Sequence, residues 1–164
     1  MNAMIIAIAQ YVPLLIPLVA AILWFFLPRR DKFALAAQAM VSLVVAMGLI
    51  QLAATVHSDP RPFVVDPSVR ALFTHPPDNG FPSDHTALAA TVALLVLLYR
   101  KRLGAVLLAA SIGVGVARVA AHVHHLQDIV AGVLIAAAAV GAAVLIWRWV
   151  RPRLPRRLAA LASV

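Results

Sequence analysis

The chain contains no cysteine, which excludes a disulfide framework, a thiolate metal site and a cysteine nucleophile. Charge is scarce too. Only 12% of the 164 residues are charged and six are acidic, against about 25% charged in average soluble domains. What fills the chain instead is apolar: 63% of residues are hydrophobic, and the mean hydropathy is +0.95. That composition excludes a disordered chain and argues against a soluble domain. One compact unit over residues 1–164 fits the length, because two domains would leave neither half a core. The net charge of +8 points to nucleic acid or to an anionic membrane surface, and the position of the charges decides between them.

A bilayer core of about 30 Å needs about 20 apolar residues per helix. Ala3 to Leu27 and Phe33 to Val56 qualify directly. Thr86 to Tyr99 is short, but a helix starting near Pro82 or Ser83 is long enough, and Ser before an apolar run is a favoured N-cap. Leu103 to about Ala121 and about Ile129 to Trp149 complete five spans, the last rich in Ala and Gly, which allow close helix approach. Pro13 and Pro17 are expected to kink the first span. The first span is followed, not preceded, by basic residues, the reverse of a cleavable signal. It is expected to stay, with its N-terminus outside.

Eleven of the 14 basic residues fall in three places: Arg29, Arg30 and Lys32; Arg100, Lys101 and Arg102; and Arg148, Arg151, Arg153, Arg156 and Arg157. By the positive-inside rule these segments are cytoplasmic. The opposite side then receives Arg61, Arg70, Arg118, all six histidines and five of the six acids. The basic excess flanks spans and forms no groove, so nucleic acid is excluded as the partner and the membrane takes its place.

Three segments meet on that outer side: His57-Ser-Asp-Pro-Arg-Pro-Phe63, Phe81-Pro-Ser-Asp-His-Thr86 and Arg118-x5-His124-x3-Asp128. Arginines match phosphate oxygens with forked hydrogen bonds, and Ser83 at a helix N-terminus adds an anion site. Cleavage needs an in-line nucleophile and an acid for the departing oxygen, and two histidines of different protonation state fill both places. His124 and Asp128, four residues apart, face the same way on a helix. The carboxylate then orients one ring nitrogen and leaves the other free for phosphorus. His85 is the proton donor in this scheme, which predicts a bell-shaped pH profile belonging to the pair.

At these residues the chain resembles the type 2 phosphatidic acid phosphatase superfamily, related to the vanadium haloperoxidases. That family's pattern is Lys-x6-Arg-Pro, Pro-Ser-Gly-His and Ser-Arg-x5-His-x3-Asp. Arg61-Pro62, Pro82-Ser83-Asp84-His85 and Arg118-x5-His124-x3-Asp128 follow it in order. The Phe-Pro-Ser-Asp-His-Thr variant with Arg-Pro-Phe is most similar to the undecaprenyl pyrophosphate phosphatases of the bacitracin-resistance type. The resemblance implies an all-α integral membrane bundle of about five transmembrane helices with an acid phosphatase/vanadium haloperoxidase-like core. It implies a phosphohistidine on His124, His85 as acid and then base, and Arg61, Ser83, Arg118 and the backbone of Asp84 around the phosphate. It also implies that no metal or cofactor takes part. The implied substrate is a lipid diphosphate, undecaprenyl diphosphate before others, cleaved on the outer face of a bacterial cytoplasmic membrane. The same chemistry also suits a lipid monophosphate such as phosphatidylglycerophosphate or phosphatidic acid.

Three positions depart from the pattern. The family lysine falls on Ala54, with His57 or Arg70 as candidate substitutes; Asp84 replaces a glycine; and Ala117 replaces a serine. The missing lysine is the ground for a competing reading as a degenerate, non-catalytic membrane protein. A metal-transport reading of the histidines and acids fails on the spans, whose middles hold neither acid nor histidine. His57 and His75 read as solvated loop residues, and His122 and His125 as interfacial histidines.

Overall fold

The computed structural model describes residues 1–155. Arg156 and Arg157 of the basic tail lie outside the described residues. The order is α1 (Asn2–Phe26), α2 (Arg29–Val56), α3 (Pro62–Val65), α4 (Asp84–Tyr99), α5 (Lys101–Ala120) and α6 (Leu126–Val150), followed by a 3₁₀ turn (Arg151–Arg153). Among the described residues there is no strand, only an isolated bridge between Pro60 and Asn79. The fold is the expected all-helical bundle.

Four helices are long and apolar enough to cross a membrane. The exception is α4, whose 16 residues span about 24 Å at 1.5 Å per residue, short of a full crossing. Its start is the one expected, with the Ser83 hydroxyl accepting from the Thr86 N–H. Its burial explains the short length: α4 is the central helix, packed on α1, α2, α5 and α6, and it presents a buried ladder of Ala87, Ala90, Ala93 and Val96. Ile16 of α1 and Leu107 of α5 close on that ladder, while Leu27, Leu35, Leu95 and Val140 form a second cluster. Large apolar residues such as Leu14, Phe25, Met40, Val44, Leu134 and Leu145 face outward, the pattern of a lipid-facing belt.

The alternating helices put the basic turns at one end. Arg30, Trp147 and Arg151 line one hollow there, and the Lys32 ammonium sits 5.4 Å from the Trp24 ring. The histidines gather at the other end. Inside the bundle the Tyr99 hydroxyl donates across helices to Gln38 at 3.0 Å, while the buried Ser42 hydroxyl has no partner among the described residues.

Two backbone details position the chemistry. A Cβ on Gly132 of α6 would lie 2.9 Å from the Ser83 carbonyl and 3.1 Å from the Ala87 nitrogen, so only glycine lets α6 meet the start of α4. The α5–α6 junction turns at His122, whose φ of 59° is a left-handed C-cap conformation usually given to glycine or asparagine. The His122 N–H donates to the Val119 carbonyl, and the ring bonds the Arg70 carbonyl at 3.1 Å. His122 is therefore a turn-former, not an interfacial residue on a helix.

In α1 the helix is unbroken through Pro13 and Pro17. Proline has no N–H, so Pro13 leaves the Ala9 carbonyl without its helical donor. Arg118 Nη1 donates to that carbonyl at 3.4 Å, from α5.

Candidate active site

Arg61, Arg118, His124 and Asp128 converge at the histidine end of the bundle, and all four are buried. Asp128 is not on one helical face with His124, as the spacing suggested. His124 sits in the turn before α6, His125 is the N-cap, and Asp128 is the third residue of the helix. The contact forms all the same, because Asp128 folds back as a capping residue does. Its Oδ2 meets His124 Nδ1 at 3.1 Å and accepts the His125 backbone N–H at 2.9 Å. One carboxylate thus caps the helix and orients the imidazole.

With Nδ1 donating to Asp128, His124 Nε2 carries the lone pair. Arg61 Nη1 stands 3.4 Å from that nitrogen. Arg61 is itself clamped, its Nη1 donating to the Val123 carbonyl at 2.7 Å and its Nε to Asp78 at 2.8 Å. A charged hydrogen bond of this kind contributes about 1.5–3 kcal/mol, so the guanidinium is held before any ligand arrives. Burial pushes the His124 ring below its ordinary imidazole value; the Asp128 bond opposes that, and Arg118 and Arg61 add to it. The neutral, nucleophilic form is the one the site favours.

Arg118 is 2% exposed. Its Nη2 lies 3.0 Å from His75 Nε2, and its buried Nε has no partner among the described residues. His75 is thus in the site, stacked edge-on against His124 with centroids 6.3 Å apart. The solvated reading of His75 is corrected. A loop histidine gives no local signal of the arginine it will meet 43 residues later. Of the two candidates for the missing lysine, the His57 ring packs against Phe81, and Arg70 offers its backbone carbonyl to His122. Ala54 offers its carbonyl to the Asn79 amide.

Ser83 is fully buried. Its N–H donates to the Asp128 carbonyl at 3.1 Å, and its hydroxyl pairs with Thr86 at 3.0 Å, so it locks α4 to α6. Asp84 and His85 form an exposed pair, Asp84 Oδ1 lying 2.7 Å from both the His85 N–H and His85 Nδ1. The Asp84 charge turns onto its own helix, within electrostatic reach of Arg118.

Beside His124, Asp59, His125 and Asp128 bring ligand-type atoms within 4.8 Å of one another. Hydrogen bonds already join this trio, with His125 Nδ1 2.9 Å from Asp59 Oδ2. Burial works against the Asp59 charge, yet Gln127 and His125 together hold its carboxyl below the ordinary value.

From Asp84 and His85 an apolar groove of about 380 Å³ descends along Pro13, Pro17, Leu43, Leu88 and Val92, between α1, α2 and α4. A second hollow of about 220 Å³ shares Pro17, Leu43 and Val92 and continues to Trp24 and Leu35. Together they run most of the depth of the bundle.

Two buried arginines and an oriented imidazole gather at the end where the apolar groove begins, and residues 35–154 match the PAP2 superfamily. The chain belongs to that superfamily. It is 30% identical over 135 residues to the bacitracin transport permease protein BcrC of Bacillus licheniformis, covering 82% of this chain and 66% of that one. It is 25% identical over 136 residues to the undecaprenyl-diphosphatase BcrC of Bacillus subtilis (strain 168), covering 83% and 69%. The chain thus spans about two thirds of the length of these relatives. Among solved structures it is similar to Aquifex aeolicus LpxE, with a TM-score of 0.64 and 26% identity over 87% of this chain and 84% of that one. With its four long apolar helices and these relatives, the chain is an integral membrane protein.

Proposed function

We propose that the protein hydrolyses the terminal phosphate of a membrane lipid diphosphate, undecaprenyl diphosphate before others, without a metal ion. The observation that carries this is the His124 ring: Nδ1 is tied to Asp128, and the unprotonated Nε2 faces the Arg61 guanidinium at 3.4 Å. An oriented neutral imidazole among buried cations is a nucleophile set for an anionic centre. The name of the Bacillus subtilis relative supports the diphosphate, and the groove ending at His85 supports a long apolar chain on the leaving phosphate.

In the first step the Nε2 lone pair forms an N–P bond as the P–O bond to the lipid phosphate breaks, and His85 gives that oxygen its proton. In the second, His85 takes a proton from water, the water oxygen bonds to phosphorus, and the N–P bond breaks to free inorganic phosphate. Arg61 and Arg118 offset charge on the equatorial oxygens in both transition states. The Asp84 backbone lines the phosphate, and Ser83 acts by fixing the helix start. The positive-inside pattern supports an outer, periplasm-facing site on the cytoplasmic membrane.

The test is phosphate release by purified protein from a panel of polyprenyl diphosphates and phospholipid phosphates. Turnover is expected to be fastest on the diphosphates, blocked by orthovanadate and indifferent to chelator. Preference for phospholipid monophosphates would replace the substrate, chelator sensitivity would replace the mechanism, and silence on every lipid would favour a degenerate chain.

A further inference from the structure

The loop between α3 and α4 sends the His75 ring onto Arg118, and the atoms involved fix its tautomer. A guanidinium carries only donors. With Nη2 of Arg118 at 3.0 Å, His75 Nε2 must present its lone pair, and Nδ1 keeps the proton, donating to the Pro76 carbonyl at 3.3 Å. The ring is half-buried between Phe73 and His124.

A phosphoryl group attacked by His124 Nε2 and held by Arg118 brings oxygens, all acceptors, to this ring. They compete for the Arg118 N–H that His75 now takes, and they repel a lone pair on Nε2. A ring that stays must carry a proton there and donate it. The charged groups facing it are Arg118 from α5, Arg61 at the start of α3, His124 from the α5–α6 turn, and Asp78 from its own loop. Without a ligand, burial and then Arg61 hold the ring below its ordinary imidazole value, Arg118 adding to this while Pro76 and Asp78 oppose it. A dianion between the two arginines cancels their repulsion.

We propose that His75 is a phosphate-binding residue that takes a proton from solvent as the anion arrives, releasing Arg118 to the phosphate and becoming a third cation beside it. The inference rests on the phosphoryl-binding reading above. It gives anion affinity a pH dependence that neither arginine supplies.

The experiment is the orthovanadate inhibition constant for phosphate release by the full chain, at pH values from about 8 to about 6, for wild type, His75→Ala and His75→Gln. Comparing variants at each pH cancels the ionisation of vanadate itself. The ratio of the His75→Ala constant to the wild-type one is expected to rise on acidification, by at most about tenfold per pH unit, the limit for one coupled proton. His75→Gln, whose amide donates without titrating, is expected to bind better than His75→Ala with no such rise. A ratio flat and near one overturns the proposal, and so does a ratio below one, since the ring would then merely compete for Arg118. A wild type that neither releases phosphate nor binds vanadate sinks the phosphatase reading itself; an active wild type with a flat ratio sinks this proposal alone.

Discussion

Of the three imidazole–carboxylate pairs at one end of the bundle among the described residues, two are built from the same groups in opposite settings. His124–Asp128 is closed off, each side chain 1% exposed, on a 3.1 Å contact. His85–Asp84 is open, at 42% and 57% exposure, on a 2.7 Å contact. The shorter contact is the less consequential one, because water screens an exposed pair and leaves it about 0–1 kcal/mol. The buried pair owes its effect to what surrounds it: two guanidiniums, a helix N-terminus and no competing solvent. A nucleophile needs a fixed lone pair kept neutral. A group that gives up a proton and takes one back from water needs access to water. Under the proposed reaction the two settings divide the chemistry between them.

Substitutions test that division in order of size. His124→Ala is expected to reduce phosphate release by roughly 10⁴-fold or more, the scale of losing a covalent nucleophile. His85→Ala should cost about 10²–10⁴-fold, the range for a general acid; a loss larger than that of His124→Ala in single-turnover assays would reverse the two roles. The sharpest contrast is between the carboxylates. Asp128→Asn lets the ring take the wrong tautomer and should cost about 10³-fold or more in kcat, whereas Asp84→Asn, on the screened pair, should cost about tenfold or less. Equal effects would break the comparison.

A subtler difference is in pH. Since the His124 ring lies below its ordinary value of 6.5, it stays neutral down through that value, and the acid limb of kcat/KM should fall below pH 6.5. Asp128→Asn removes the contact that opposes the shift, so the limb should move further to the acid side. The same sign governs stability: as pH drops below 6.5 the unfolded chain takes a proton the folded one refuses, and the fold weakens until the folded value is passed. Thermal unfolding between about pH 7 and about pH 5 reads this, and His124→Phe should flatten it. The smallest effect belongs to Pro13→Ala, which gives Ala9 back its helical donor. It is expected to stabilise α1 slightly while raising KM a few-fold, measured on the same lipid diphosphate.

The spans and the three motif segments were legible because hydropathy and spacing are local quantities. Charge placement carried the two ends of the bundle. What escaped depends on how distant segments meet. The His124–Asp128 spacing suggested a helix, yet the backbone reverses at His122, a left-handed position that a histidine does not advertise. Ser83 reads as a phosphate ligand, and spacing does not show that its hydroxyl also pairs with Thr86 and its N–H with the Asp128 carbonyl in α6. His75 reads as solvated because its chain neighbours give no sign of the partner that comes from α5. Pro13 reads as a kink, and nothing local shows that it also frees an acceptor that α5 reaches.

That acceptor sits in a segment before the residues that match the superfamily. The Arg118 guanidinium, proposed above to hold the phosphate, thereby leans on a span that the shared pattern does not include. Any chimera exchanging the first helix for a relative's must carry an unpaired carbonyl at the same depth, or strand a buried cation with nothing to hold its far edge.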